Sequence, residues 1–449
     1  MLFRIKKGLD IPIRGAPEQV ISPGAAVTSV ALLGDDYIGL RPAMLVSEGD
    51  PVKLGQPIFE NRKHAEIKFT SPGSGVVIEI NRGARRVLES IVIELHDDGE
   101  EVLFSAYPQE KLALLKPGEV IDNLLTSGLW TALRTRPFSK VPEPGSEPHS
   151  IFVTAMDSNP LAPRPDVVID TAGQDFDNGL KVVSRLTPGR VFFCRQSGAN
   201  LPKEDPDTIT VAEFTGPHPS GLVGTHIHFL DPVGTNKTVW HLNYQDVIAI
   251  GRLFTTGRLC MERIVALGGP VMHRPRLIRT RIGANIDDLL RDEVQDVAYR
   301  VTSGSLLAGR QTSMRTQYLG RYHNQVSTIA EANHNEHWVG ATSARNGRRV
   351  PKVSVLGSYR SQEYGFTTAL HGKPAPMLPI GTFERVMPMD ILPTQLLRAL
   401  VIGDTDTAQA LGCLELDEED LALCSYVCPS KYDYGPLLRS SLSQIESEI

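Results

Sequence analysis

The stretch Val46-Ser47-Glu48-Gly49-Asp50-Pro51-Val52-Lys53-Leu54-Gly55-Gln56-Pro57-Ile58-Phe59, followed by Ser71-Pro72-Gly73-Ser74-Gly75-Val76-Val77, decides how the first hundred residues fold. Short apolar runs alternate with Gly-Asp and Pro-x-x-Gly punctuation. Those residues permit sharp reversals between short strands. The same alternation runs from "SVALLG" through "QPIFE", "EIKFTSP" and "GVVIEI" to "SIVIEL". An all-β module over residues 1–104 is expected.

The two quoted pieces resemble the biotinyl/lipoyl-like barrel-sandwich fold. A carrier of that fold needs a lysine at an exposed turn tip. Lys63, in "ENRKHAEIKF", is the lysine near the hairpin, but it lacks the flanking methionines of a biotin site. It is read as an ordinary solvated turn lysine.

Outward from this module the pattern changes. In "PGEVIDNLLTSGLWTALRTRP" apolar residues recur at three and four, as in a helix, with Pro117 near its start. "HSIFVTAMDSNP", "PDVVID", "GLKVVSRL" and "GRVFFC" follow as strand candidates between polar segments, the mark of an α/β layer over 105–255. Residues 256–330 resemble a soluble-ligand-binding β-grasp (SLBB) domain. Arg274, Arg276, Arg279 and Arg281 crowd its second strand, which reads as a charged edge that blocks stray pairing. A connecting region covers 331–380, and acidic helix starts with period-3.6 apolar positions make 381–449 helical. The fold class expected is therefore α+β, multidomain.

Composition narrows the function. A chain of 449 residues exceeds one hydrophobic core. A net charge of −6 offers no basic footprint for nucleic acid. No apolar run reaches the roughly twenty residues that span a bilayer. Charged residues fill the start, "MLFRIKKGLD", where an export signal needs an apolar stretch, so a cytoplasmic location is expected. Five cysteines without that signal read as free thiols. Cys194 and Cys260 fit buried core positions.

Three stretches bear on chemistry. "LCSYVCPSK" keeps the C-x-x-x-C-P ending of a bacterial iron–sulfur ligand run, in Cys424 and Cys428, without its two earlier cysteines. Asp417 is placed to cap a helix that runs through Cys424 until Pro429 stops it. A buried pair of helix thiols is the reading. In "SGLWTALRTRPFSK", bulky side chains stand where a dinucleotide site needs glycines. Trp130, Arg134, Arg136, Phe138 and Lys140 instead offer aromatic faces and donors suited to a flat ring with carbonyl oxygens, such as a quinone. Tyr37 and Arg41 in "LLGDDYIGLRP" join them. His226 and His228, two apart, would share a face on a strand, yet no further metal ligands are evident beside them. His334 and His337 lie in "EANHNEHW", which is not a zinc motif.

"KKGLDIPIRGAP", "SPGSGVVIEINRGARRVL", "SGLWTALRTRPFSKVP", "GPHPSGLVGTHIHFLDPV" and "LALCSYVCPSKYDYGPLLR" together resemble the NqrA family, a component of bacterial sodium-translocating NADH:quinone reductases. The resemblance spans essentially the whole chain. More distantly, the domain order resembles the RnfC component of the Rnf complex and the NADH-binding flavoprotein subunit of respiratory complex I. Those relatives carry a glycine-rich flavin loop and cysteine cluster ligands. The present chain departs at both places, so its α/β domain reads as a degenerate Rossmann-like one and its "CSYVCP" as a vestigial cluster site. The resemblance implies a peripheral subunit on the cytoplasmic side of a six-subunit membrane complex. It implies ubiquinone as the ligand, with no FMN, NADH or Fe–S on this chain. Five other subunits, a membrane-embedded one above all, are the implied partners. A ligand-free scaffold within the same complex is the alternative.

Overall fold

The computed structural model describes residues 1–96, 99–199, 209–332, 363–370 and 375–448. His334, His337 and much of the stretch 331–380 lie outside the described residues.

The first module forms two small sheets. One runs Ser29–Leu33, Leu88–Leu95, Gly75–Arg82, Pro51–Val52; the other runs Pro42–Met44, Pro57–Asn61, Lys68–Thr70. Ile58, Phe59, Phe69, Val77, Ile91 and Ile93 fill the space between them. Gly75 is needed where it stands, because a Cβ there would meet the Glu94 carbonyl oxygen at 1.8 Å.

A six-stranded sheet follows, in the order Leu2–Arg4, Ile209–Thr215, Arg190–Gln196, Ser150–Ala155, Val239–Asn243, Arg134–Arg136. All neighbours are parallel except the last pair. The chain enters at Ser150–Ala155, adds two strands on one side, then returns to place Val239–Asn243 on the other. That return is a topological switch point. Two strand expectations fail here. "PDVVID" is the helix Pro165–Asp170 and "GLKVVSRL" lies mainly in the helix Gly173–Val183. Their apolar residues line a helix face against the sheet, which short apolar runs alone do not distinguish from strands. The helix expected through Trp130 also stops early. It spans Pro117–Ser127, and Gly128 at φ 80° turns the chain into a short 3-10 turn and then the edge strand Arg134–Arg136.

The third sheet has the order Arg310–Gln311, Tyr299–Ser303, Gln325–Ala330, Glu262–Gly268, Arg276–Arg281, Glu18–Pro23. The arginine-rich strand is therefore interior, not an edge. Glu18–Pro23, from far upstream, pairs along its open side. The charges are used locally. Arg276 pairs with Glu293 at 2.6 Å, Arg279 with Glu262, and Arg281 donates to the Pro72 carbonyl at 3.1 Å.

The C-terminal part is helical, as Thr382–Val386, Pro393–Ile402, Thr405–Ala410, Glu418–Val427 and Tyr434–Glu448. Asp417 caps the fourth of these and Cys428 ends it just before Pro429. No helix among the described residues is long and apolar enough to cross a membrane.

Candidate functional site

A cavity of about 430 Å³ opens at the carboxyl ends of Ser150–Ala155 and Val239–Asn243, the switch point of the parallel sheet. Open α/β sheets bind ligands at this place because the two crossovers diverge there and leave a crevice. All four parts of the chain reach it. The turn after Leu33 supplies Asp35, Asp36 and Ile38, and the α/β layer supplies Arg134, Thr154, Asp157 and His241. The β-grasp part adds Arg310, Tyr322 and His323, and the start of the Glu418–Val427 helix adds Asp417, Glu418 and Glu419.

Its aromatic wall is Tyr322. The Arg134 guanidinium sits 4.5 Å from the Tyr322 ring centroid, and Tyr37 meets the same ring edge-on at 6.3 Å. The Tyr322 hydroxyl is held by the Thr131 carbonyl at 2.9 Å, which fixes the plane of the ring. Behind it, Asp36 accepts from Arg310 Nη1 and from the Arg321 backbone N–H, each at 2.8 Å. Arg321 in turn donates to Asp246 at 2.9 Å.

The polar wall is incompletely satisfied. Thr154 Oγ1, His241 Nε2 and Arg310 Nη2 are buried and find no hydrogen-bond partner among the described residues. Buried polar groups are nearly always paired, so three unpaired ones on residues that line the cavity call for an occupant with polar atoms of its own. Burial keeps His241 neutral, and the charges of Arg134 and Arg136 reinforce that. Burial likewise lowers His323 to about 4 and raises Asp157 to about 6. Asp157 accepts from the backbone N–H and the side-chain amide of Asn159, both at 2.9 Å, which limits its rise.

The residues nominated from sequence divide into three groups. Arg134 lines the cavity and Tyr37 packs directly behind its aromatic wall. Trp130 lies in the core, fully buried, edge-on to Trp240 at 5.4 Å, with Nε1 donating to the Pro142 carbonyl at 2.8 Å. Arg41 is exposed on the outer surface of the first module.

Arg136, Phe138 and Lys140 face the C-terminal helices instead. Arg136 is wholly buried and meets Asp420 at 2.9 Å, Glu419 at 3.3 Å and Asp417 at 3.5 Å. Burial works against its charge, but the three carboxylates overcome this and raise its pKa. Phe138 packs in the helical core and its carbonyl accepts from Arg439 at 2.9 Å, while Lys140 pairs with Glu446. Sequence reasoning passed over Tyr322, Asp157, His241 and His323. The available signal was positional, since Asp157 follows one of the two strands that flank the switch point and His241 sits in the middle of the other.

The paired histidines are not on a strand. Both lie in the helix Val223–Leu230 and serve local structure. His226 Nε2 meets the Ser220 carbonyl at 3.0 Å, and His228 bridges Glu415 at 2.8 Å and the Asp390 N–H at 2.9 Å. Cys424 and Cys428 are buried at the end of one helix, with Cys428 Sγ 3.2 Å from the Tyr434 hydroxyl.

Models of three domains match the chain in order: an NqrA N-terminal barrel-sandwich hybrid domain over 3–96, an NqrA second alpha/beta domain over 115–259, and an NQRA C-terminal domain of SLBB type over 264–314. The fold defines a multidomain α/β chain made of the barrel-sandwich, second alpha/beta and SLBB-type domains of this family. The chain is 55% identical to the NqrA subunit of the Na(+)-translocating NADH-quinone reductase of Pseudomonas aeruginosa and 54% identical to that of Neisseria gonorrhoeae, in both cases over 100% of each chain. The Yersinia pseudotuberculosis counterpart is 53% identical, again over 100% of each chain. The chain belongs to the NqrA family of the Na(+)-translocating NADH-quinone reductase, a complex with oxidoreductase and translocase activity whose other subunits are its partners. Among solved structures, an NAD+-reducing [NiFe]-hydrogenase in the H2-reduced state resembles 76% of this chain over 63% of its own. Identity there is 11% and the TM-score is 0.38.

Proposed function

We propose that this protein supplies a ubiquinone site to the complex, in the cavity at the switch point, on the cytoplasmic face of the membrane. The observation that carries the reading is a cavity lined by Arg134 and Tyr322 together with Thr154, His241 and Arg310, whose buried polar atoms lack partners among the described residues. A quinone ring packs beside the Arg134–Tyr322 pair, and its carbonyl oxygens accept from the guanidinium and the unpartnered donors. The remaining chemistry belongs to the five other subunits, including a membrane-embedded one to which this chain docks. NADH, flavin and iron–sulfur centres are assigned to them. Residues 128–134 support this division. A Cβ on Gly128 would meet Thr70 Oγ1 at 2.5 Å, and Leu129 and Leu133 are core residues, so the backbone here has no free glycine loop to present to a phosphate. Cys424 and Cys428, buried in one helix, are read as the remnant of a cluster site.

Titration calorimetry of the full chain with a short-tail ubiquinone, with NADH and FMN as controls, tests the reading. Saturable binding of the quinone alone, weakened in Arg134→Leu and Tyr322→Leu, is expected. Undiminished binding in both variants would move the site elsewhere. Absence of binding would favour the second reading, a ligand-free scaffold, which draws on the buried Arg136 joint between the α/β layer and the C-terminal helices.

A further inference from the structure

A second cavity, of about 650 Å³, lies on the other side of a thin seam from the first. Asn159 and Ser305 line the polar cavity, while the next residues in each segment, Pro160 and Leu306, line the second. Its wall is of a different kind. Ile13, Leu306, Leu307, Ile329, Tyr426 and Val427 make most of it hydrocarbon and aromatic surface. It ends at a rim where Leu370 and Ile380 are more than half exposed, at 67% and 55%. The cavity stands beside Cys428 and Pro429, the place of the cysteine-proline motif.

From this adjacency we infer that the second cavity holds the isoprenoid tail of the quinone whose ring occupies the polar cavity. The inference rests on the quinone reading above and adds a subsite to it. A branched hydrocarbon tail has no hydrogen-bonding groups. It gains from an apolar wall by leaving water, in proportion to the area it buries. A ring site of about 430 Å³ beside an apolar chamber of about 650 Å³ matches a molecule with a small polar head and a long apolar tail. The seam at Ser305 is a turn: Gly304 sits at φ 94°, and the Leu307 N–H is held by Ser305 Oγ at 3.2 Å. The tail crosses there and runs toward the rim at Leu370 and Ile380.

The test uses the full chain and ubiquinone analogues with one, two and four isoprene units, below the concentration at which any of them forms micelles. Affinity is expected to rise at least about tenfold from one unit to two. Leu306→Gln and Leu307→Gln are expected to erase that rise and leave the one-unit analogue within about twofold. Both side chains are only partly buried, so the variants should fold. A photoreactive group at the tail terminus gives a second readout on the unaltered chain, with labelling expected at Leu306–Leu307, Ile329 or Tyr426–Val427. Equal affinity for all tail lengths, a rise that survives both substitutions, or a terminal label elsewhere overturns the inference and leaves the ring site standing. No binding of any analogue overturns the ring site, and the tail site with it.

Discussion

Arg134 and Arg136 stand two residues apart on one edge strand, yet they serve two regions that work differently. Arg136 enters a joint where three carboxylates of one helix start converge on a guanidinium with no exposure. Arg134 enters a cavity, lies on an aromatic face, and has its nearest carboxylate, Asp417, at 3.9 Å. A charge enclosed by partners holds two parts of a fold together. A charge with a ring on one side and an open space on the other is available to a ligand. Composition alone does not separate the two cases; enclosure does.

That contrast can be broken most forcefully at the joint. Arg136→Met leaves the Asp417, Glu419 and Asp420 carboxylates facing an apolar side chain. The expected loss is about 3–5 kcal/mol of stability, the usual cost of breaking a buried ion pair from one side. Chemical denaturation followed through the C-terminal helices measures it. A loss below about 1 kcal/mol would show that the joint is no lock. In the cavity, Tyr322→Leu removes the ring beneath Arg134 and should weaken quinone binding by about tenfold, the scale of a partly desolvated cation–π contact. Unfolding midpoints should move much less than for Arg136→Met. If stability falls and affinity holds, Tyr322 belongs with the joint rather than the cavity.

The smallest effect is a pH dependence. Asp157 in the folded chain is raised to about 6, above its ordinary unfolded value near 4. The folded state therefore binds the proton more tightly. Its contribution is fully present below about pH 4 and is lost as pH rises through about 6. Asp157→Asn should flatten that part of the stability profile and raise stability at pH 8 by about 1–2 kcal/mol, discounted because the side chain is only half-buried. An unchanged profile would mean that Asp157 is solvated like a surface carboxylate.

Much of the architecture was legible locally. The turns of the first module, the Asp417 cap and the stop at Pro429 all follow from neighbouring residues, and the structure has each of them. The failures share a cause, which is dependence on partners far along the chain. Arg276–Arg281 reads as an edge until Glu18–Pro23 arrives to cover it. Trp130 reads as an available face until Trp240 closes on it. Val167, Val168 and Ile169 read as a strand because six residues are too few to show a period. The cavity was half visible. Both nominated stretches reach it, through Asp35–Ile38 and Arg134, but the residues that make it a site come from four separate parts of the sequence. No window of residues contains them together.

The opening residues have a consequence for the order of assembly. Leu2–Arg4 completes the edge of one sheet and Glu18–Pro23 the edge of another. The Met1 ammonium itself reaches the Val211 carbonyl, 210 residues downstream. These two strands must therefore wait, without those partners, until strands near 210 and 280 have been made. The barrel between can close meanwhile, because its strands pair among themselves. Two of the earliest strands are thus seams that close only once distant parts of the chain exist, and the Arg136 joint, which needs residues 417–420, closes later still.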